Sequence, residues 1–519
     1  MISINLNGKD IQVPEGLTIL EVARDHNLDI PTMCFLDGQD HFPSCLVCIV
    51  KDTKTGKLVP SCATKVQDGM AITTEDEEVI EARRTSLELL LSDHVGDCEA
   101  PCQTNCPAYM DIPMMNRLLA AGKVEAALRI IKRDIPLPAV LGRICPAPCE
   151  RACHRRSVDS AVSICKLKRY AADYDLGLQE QYIPAMREPN GWKIGIIGTG
   201  PAGLASAYFL LEKGYTCELY DKNLLPGGAL RYAIPEEKLP KEILDKEIEV
   251  IVRMGAVFKM GQDIMPDGLT ELKAKYDAII IATGEDNAGF DGLEKRSNAF
   301  ITDRNTHQTE DNKVFAIGNA VKPGRVAIRS TAHGKQVAMS IDQFLKGFEI
   351  VGEKRKFNSR FGRLMEEEIS EYMSEARDFL RHEVQEYEGF NLKEMQEEAS
   401  RCMHCDCRKK NDCRLRDYSE MYSALQKRFF PKERKHVRKI FKHEPIIYEP
   451  EKCIKCGICV RITSEHKEKL GLTFIGKGFD VEVAVPFDNE TVNALEKTAL
   501  LCAEKCPTGA LAKKEDDEI

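Results

Sequence analysis

Residues 193–203 read KIGIIGTGPAG: an apolar run from Lys193 to Ile197 passes directly into Gly198-Thr199-Gly200-Pro201-Ala202-Gly203, and a helical pattern follows from Leu204 to Lys213. This is a G-x-G-x-x-G turn between a strand and a helix. The first glycine makes the tight turn, the second admits a pyrophosphate, and the third lets helix and strand approach. Alone the motif is weak. Here the next strand, Cys217 to Tyr220, ends at Asp221, 18 residues after Gly203, where a carboxylate suits a ribose hydroxyl pair. Cys217 itself reads as a core thiol.

Two later segments turn the dinucleotide toward a flavin. AIIIATG (Ala278 to Gly284) and VFAIGN (Val314 to Asn319) resemble the "ATG" and "GD" signatures of the two-dinucleotide-binding flavoproteins, as does LPGGALRYAIPEEKLP (Leu225 to Pro240). The resemblance implies an FAD held by Gly198, Gly200, Pro201, Ala202, Gly203, Asp221, Lys222, Gly227, Gly228, Arg231, Ile234, Thr283, Gly284, Gly318 and Asn319. The sequence departs from the family twice. The aspartate of "GD" is Asn319, which can bond the ribityl chain without charge. Only 34 residues separate Gly284 from Gly318, where the family places its NAD(P)H domain, and a domain needs at least about 50. The expectation is a retained FAD site and a lost nicotinamide site.

The 519 residues carry a net charge of −9, with 43% hydrophobic and 30% charged side chains, an ordinary soluble composition. The 21 cysteines are the unusual feature. The N-terminal MISINLNGKDIQVPEG has no basic or apolar signal region, and no apolar run approaches the ~18 residues of a membrane span. A cytoplasmic protein is expected, in which clustered thiols mean metal or redox chemistry rather than disulfides. The mild acidity argues against nucleic acid as the main partner.

Cys34, Cys45, Cys48 and Cys62 form C-x10-C-x2-C-x13-C, four thiolates able to converge on two irons. The long first gap resembles the N-terminal ferredoxin domain of the large iron–sulfur subunit of respiratory NADH dehydrogenase and of some iron-only hydrogenases. Four cysteines also suit zinc. Next come His94-x3-Cys98-x3-Cys102-x3-Cys106-Pro107, then GRICPAPCERAC with Cys145, Cys149 and Cys153, then Cys165. CQTNCPAYMDIP and GRICPAPCERAC resemble the two-cluster domain of the glutamate synthase small subunit and of dihydropyrimidine dehydrogenase. That resemblance implies one 4Fe-4S centre on Cys98, Cys102 and Cys153 and another on Cys106, Cys145 and Cys149. Each lacks a fourth ligand. His94 stands within reach of the first, although an isolated histidine is often a polar surface residue. For the second, Lys168 occupies the family's glutamine or glutamate position, and a charged ammonium is a donor only. Cys165, one helical turn earlier, is assigned instead, against the alternative of a buried structural thiol.

Cys402-x2-Cys405-x-Cys407-x5-Cys413, within EASRCMHCDCRKKNDC, resembles the "RCxxC" segment of glutamate synthase small subunits, displaced to follow the flavin domain. Four cysteines so close can wrap one cubane or form a zinc knuckle, with His404 facing solvent. Finally, Cys453-x2-Cys456-x2-Cys459 and Cys502-x3-Cys506-Pro507 give one cubane from Cys453, Cys456, Cys459 and Cys506, leaving Cys502 spare. FIGKGFDVEVAVPF and KCPTGAL again resemble the NADH dehydrogenase and hydrogenase subunits.

The expected fold is multidomain, α+β and α/β: a β-grasp-like 2Fe-2S ferredoxin domain (1–78), a helical domain with two 4Fe-4S clusters (79–185), a Rossmann-like FAD domain without an NAD(P) insertion (190–350), a helical connector with a 4Fe-4S motif (351–445) and a ferredoxin-like 4Fe-4S domain (446–519). Helices are expected around 80–92 and 114–133. Phe361, Leu364, Met365, Ile369, Tyr372, Met373, Ala376 and Leu380 space a long amphipathic connector over 359–388. The basic stretch from Lys427 to Lys442 reads as a solvated face or a docking patch for an acidic partner rather than a nucleic-acid site.

One FAD, one 2Fe-2S and four 4Fe-4S centres, with no residue assigned as catalytic, imply an electron-transfer subunit of a larger cytoplasmic oxidoreductase of anaerobic metabolism. The resemblances imply FMN/NAD-binding, formate-dehydrogenase-like or hydrogenase-like partner subunits; flavin-based electron bifurcation is compatible with the inventory, but no residue demonstrates it. Two other readings are a self-contained NAD(P)H-oxidising small subunit and a redox-sensing scaffold.

Overall fold

Alternating apolar residues at the N-terminus build the first sheet. Strands β1 (Ile2–Leu6), β2 (Lys9–Val13), β3 (Ile49–Asp52), β4 (Lys57–Pro60) and β5 (Ala71–Thr73) lie in the order β2-β1-β5-β3-β4, with β1 and β5 parallel and the other pairs antiparallel. Helix α1 (Ile19–Asp25) opens on a capping box in which Thr18 and Glu21 satisfy each other's backbone N–H. Its Ile19, Leu20 and Val22 pack with Ile4, Leu6, Val50 and Ile72 as one core. Helix α2 (Glu77–Ser92) follows, capped by Asp76.

The computed structural model describes residues 1–39, 42–285, 289–324, 326–383, 389–431, 433–443, 445–486 and 495–514. It divides into two units, one of Met1–Glu99, Lys356–Ser374 and Cys405–Ile519, the other of Ala100–Arg355 and Glu375–His404. The sheet above belongs to the first.

The second unit begins with short helices: α3 (Pro101–Asn105), α4 (Ile112–Ala120), α5 (Val124–Lys132), α6 (Pro138–Ile144), α7 (Pro148–Arg151) and α8 (Ile164–Leu176). The helix expected over 114–133 is thus two, separated at Gly122, whose φ of +72° lies in the left-handed region. Strand β6 (Lys193–Ile197) then leads into α9 (Pro201–Glu212), β7 (Thr216–Asp221), α10 (Ala229–Tyr232), α11 (Lys241–Arg253), β8 (Val257–Met260), α12 (Leu269–Lys275) and β9 (Ala278–Ile281). A two-residue hairpin, β10 (Lys295–Arg296) and β11 (Ala299–Phe300), precedes β12 (Val314–Ala316) and α13 (Ala327–Leu345). The sheet runs β12-β9-β6-β7-β8, parallel throughout, with α9 and α13 packed together. This is the Rossmann-like arrangement the glycine turn predicts. Its β9 strand is apolar at every position because both faces are buried.

Glu247 of α11 ties the helical part of this unit to the Rossmann part. Its carboxylate is buried and accepts the Ala139 and Val140 N–H groups of the first turn of α6, at 2.7 and 2.9 Å. Glu247→Ala leaves both donors unpaired, an expected loss of about 2 to 5 kcal/mol in denaturant unfolding. Burial also raises this carboxyl from 4.5 to about 7, against the pull of the two N–H groups. A raised carboxyl favours folding while protonated, so this contribution is complete below pH 4.5 and is lost as pH rises through 7, about 3 kcal/mol in all. The stability of the native protein relative to Glu247→Gln should therefore fall between pH 5 and pH 8. A gap independent of pH would contradict the assignment.

The remaining elements are α14 (Glu366–Met373), α15 (Leu392–Ala399), α16 (Arg414–Met421), β13 (Ile440–His443), β14 (Ile446–Tyr448), α17 (Ile458–Glu465), β15 (Thr473–Ile475), β16 (Glu482–Ala484), the helix Ala499–Lys505 and β17 (Leu511–Lys513). β14 is the centre of an antiparallel β13-β14-β17 sheet. The long connector helix expected over 359–388 is not formed. Only Glu366–Met373 is helical, because neighbouring backbone donors bond elsewhere: Phe361 to the Asp97 carboxylate and Arg377 to the Ser400 carbonyl. Its residues 384–388 lie outside the described residues.

The basic stretch is largely neutralised within its own unit. Arg428 pairs with Glu81 and Glu88, Arg434 with Glu368, Lys435 with Asp93, and Arg438 with Glu451 and Glu482. Several of these pairs remain exposed, so the stretch is a solvated face of paired charges more than a free docking patch; Lys432 and the Lys442 side chain lie outside the described residues. Among the described residues no helix is long and apolar enough to cross a membrane.

Candidate redox centres and dinucleotide site

Among the described residues no three His, Cys, Asp or Glu side chains close to the spacing of a single bound metal ion. The thiols nevertheless form groups, defined by shared hydrogen bonds or by the field each exerts on its neighbours. Leu46, Ala147, His404 and Lys455, each between two cysteines of a short loop, have φ between 45° and 57°. A left-handed residue there turns successive N–H groups inward, making the concave nest that suits an anionic cluster. Donors do point at sulfur: the N–H groups of Lys455 and Ser359 lie 3.3 and 3.4 Å from the sulfurs of Cys453 and Cys98.

In the first unit, Cys34, Cys45, Cys48 and Cys62 are buried in one network. Cys48 and Cys62 sulfurs are 3.3 Å apart, and Cys34 bonds to Cys45 and Cys62. The Cys62 contact lowers the Cys48 thiol to about 7, despite burial. Arg461 of α17 reaches this loop at the Cys34 carbonyl (3.0 Å) and donates also to the Cys456 carbonyl (3.3 Å).

Cys453, Cys456, Cys459 and Cys506 line a small cavity closed by Tyr448, Val483 and Pro507. Cys502, the expected spare, is fully buried in the adjoining apolar core. The field of Cys34 acts on Cys456, and that of Cys506 on Cys413.

In the second unit, Cys145, Cys149 and Cys165 share hydrogen bonds, and all three with Cys106 act on the charge of the buried Lys168. The structure places Cys165 with this group, as the sequence reading does. Gly142 makes the grouping possible. α6 and α8 cross so closely there that a Cβ would lie 2.6 Å from the Arg169 Cβ and 2.8 Å from its Cα. Gly142→Val is expected to cost about 1 to 3 kcal/mol and to displace Cys145 from Cys165, removing about four irons per chain from the anaerobically purified protein. Unchanged iron would contradict it.

The other two groupings differ from the sequence expectation. Cys98 has thiol partners within its own unit. It lies in the first unit beside Cys407 and Cys413, the Cys407 N–H donating to the Cys98 carbonyl at 3.1 Å. Cys402 lies in the second unit beside Cys153 and Asn116, with α3, which carries Cys102, packed on α7. Of the four cysteines 402–413, Cys402 belongs to the second unit and Cys405, Cys407 and Cys413 to the first. The second unit's chain lies between Cys98 and Cys407 in sequence, so these two neighbours of the first unit are 309 residues apart along the chain. Spacing was the available signal, since His94-x3-Cys98 and Cys407-x5-Cys413 are the two ends of that insertion.

His94 is buried, and burial together with the Lys452 cation lowers its pKa to about 4, so the ring is neutral. Its Nδ1 has no partner. Lys452 links it to the same group, since its ammonium acts on Cys98 and Cys407 while pairing with Glu449 at 2.6 Å. A neutral ring with an orphaned nitrogen fits a ligand. His404 is half-buried, its Nδ1 3.3 Å from Arg117, rather than solvent-facing.

The dinucleotide residues converge at the C-terminal ends of β6, β7, β9 and β12, where open parallel sheets bind ligands. A Cβ at Gly198 or Gly203 would strike the Ala282 or Gly198 carbonyl, whereas one at Gly200 would meet nothing within 4 Å. The space before the α9 N-terminus is open, as a pyrophosphate requires. Gly227 donates to the Thr199 carbonyl at 3.0 Å, bringing its loop onto the turn. Asp221 accepts from Thr199 and Asn223, so a ribose would share a carboxylate already engaged. Arg231 is held by Asp245 and the Pro226 carbonyl. Thr283 Oγ1 is buried and unpartnered. Asn319 donates to the Gly324 carbonyl (2.7 Å) and to Glu285 (3.1 Å), bonds an aspartate could not make. Unforeseen in sequence is His333, whose Nδ1 accepts the Gly318 N–H at 3.1 Å while burial lowers its pKa to about 3.

The chain thus joins iron–sulfur domains to a Rossmann-like dinucleotide fold. Residues 1–77 match the family described as a 2Fe-2S iron–sulfur cluster binding domain, 65–179 the dihydropyrimidine dehydrogenase domain II, 4Fe-4S cluster, and 196–260 an NAD(P)-binding Rossmann-like domain. The chain is 38% identical over 214 residues to the NADPH-Fe(3+) oxidoreductase subunit beta of Geobacter sulfurreducens, covering 39% of this chain and 31% of that protein. It is 36% identical over 210 residues to the NADP(+)-dependent formate dehydrogenase subunit beta of Moorella thermoacetica (36% and 29% covered), and 37% identical over 204 residues to the glutamate synthase [NADPH] small chain of Bacillus subtilis (36% and 40%). Each alignment spans less than half of the relative's length.

Proposed function

We propose that this chain is an FAD- and iron–sulfur-dependent electron-transfer subunit of a multi-subunit oxidoreductase. The observation that carries the reading is a succession of thiol groups within one unit. Arg461 bonds to the carbonyls of Cys34 and Cys456, whose group includes Cys506; the Arg414 N–H, next to Cys413, donates to the carbonyl of Pro507, next to Cys506, at 3.0 Å; and the Cys407 N–H bonds to the Cys98 carbonyl. Iron–sulfur centres pass single electrons, and a flavin accepts two and releases them one at a time. Adjacent ligand groups are what such a relay needs.

In this reading Cys34, Cys45, Cys48 and Cys62 hold a 2Fe-2S centre. Four 4Fe-4S centres are held by Cys453, Cys456, Cys459 and Cys506; by His94, Cys98, Cys407 and Cys413; by Cys106, Cys145, Cys149 and Cys165; and by Cys102, Cys153 and Cys402. FAD would be held by the glycine turn before α9 together with Thr283 and Gly318, and would supply the two-electron to one-electron step. The domain boundaries stay at 78, 185, 350 and 445. Cytoplasmic partners that are FMN/NAD-binding, formate-dehydrogenase-like or hydrogenase-like would complete the electron path; bifurcation at an FAD is compatible with it, and no residue demonstrates it. The relatives named above as oxidoreductase subunits support this.

One observation favours a second reading: the Rossmann match carries an NAD(P)-binding description. Stopped-flow mixing of the anaerobic chain with NADH or NADPH separates the two. A relay without its own nicotinamide site keeps its flavin oxidised until partners are added; rapid flavin reduction by the isolated chain establishes the self-contained reductase.

A further inference from the structure

We propose that Lys168 is the built-in counter-charge of the centre on Cys106, Cys145, Cys149 and Cys165, and that it holds the reduction potential of that centre high. The inference rests on the ligand reading just given.

Lys168 lies one turn after Cys165 on α8, so both side chains leave the same face of the helix. It is 3% exposed. Among the described residues no carboxylate pairs with it, whereas Lys132, equally buried in the same unit, is matched by Asp175 at 2.7 Å and by the Tyr182 carbonyl at 3.0 Å. A buried ammonium without a counter-ion is costly. The groups acting on its charge are four thiols, Cys165 one turn away on the same helix face, Cys145, Cys149 and Cys106. Gly142 fixes the approach of α6 to α8 that keeps them there.

An ammonium donates and cannot ligate iron, so its part is electrostatic. A thiolate-bound cluster is anionic and gains negative charge on accepting an electron. A fixed cation in a poorly screened interior therefore favours the reduced state.

The test is a redox titration followed by EPR, on the full chain purified without oxygen, with iron analysis. Cys165→Ala identifies the signal by removing it. Lys168→Met should keep the iron and move that signal's midpoint to lower potential, with the other signals unmoved, and Lys168→Arg should restore it. An unmoved midpoint in Lys168→Met overturns the proposal. If Lys168→Met loses the centre, Lys168→Arg decides: recovery of iron and midpoint supports a charge role, and loss in both variants overturns it. A Cys165→Ala variant with unchanged iron and EPR would instead sink the ligand reading beneath it.

Discussion

Cys402→Ala and Cys407→Ala are expected to abolish two different iron–sulfur signals, although the two residues are five apart in sequence. Each variant should lose about four of about 18 irons per chain. Cys153→Ala should reproduce the spectrum of Cys402→Ala, because those thiols act on one another in the second unit. Cys98→Ala should reproduce Cys407→Ala, because their backbones are joined in the first. Combining Cys98→Ala with Cys407→Ala should lose no more iron than either alone. His94→Ala should perturb the same signal, since its unpartnered nitrogen is the one neutral donor in that group. If Cys402→Ala and Cys407→Ala remove one and the same signal, the four cysteines wrap a single cubane and the division is wrong.

Gly200→Val should cost the protein its flavin and almost none of its stability. The backbone at Gly200 has φ −73° and ψ −176°, open to any residue, and a Cβ there meets no protein atom within 4 Å. The side chain would stand only in the path of the pyrophosphate, so apo-protein stability should change by less than about 0.5 kcal/mol. Gly203→Val is the contrast. Its Cβ would be driven into the Gly198 carbonyl, costing about 1 to 3 kcal/mol as well as the flavin. Flavin absorbance and denaturant unfolding of the apo proteins separate the two. Full flavin occupancy in Gly200→Val would remove the glycine turn from the cofactor site.

How much of this was legible in sequence depended on how local the constraint was. The strand, glycine turn and helix over 193–212 are imposed by neighbouring residues, and they fold as read. The grouping of Cys165 with Cys145 was legible because one helical turn fixes the distance to Lys168 and the ammonium cannot ligate. That Cys402 and Cys407 belong to different units was not, because the unit boundary between them is set by contacts remote in sequence, such as that of Cys407 with Cys98. The apolar periodicity of 359–380 misled for a related reason. Phe361, Leu364 and Tyr372 are buried as the pattern demands, but Asp97 and Ser400 claim backbone donors a continuous helix would need. Similarly, the charges of 428–438 looked free only because Glu81, Glu368 and Glu451 are remote in sequence.

The central claim, a flavin and five iron–sulfur centres on one chain, is most directly tested by iron, sulfide, zinc and flavin analysis of protein purified without oxygen. The account predicts about 18 irons, a matching quantity of acid-labile sulfide and one FAD per chain. Zinc in stoichiometric amount, or protein full of iron but devoid of flavin, would contradict it.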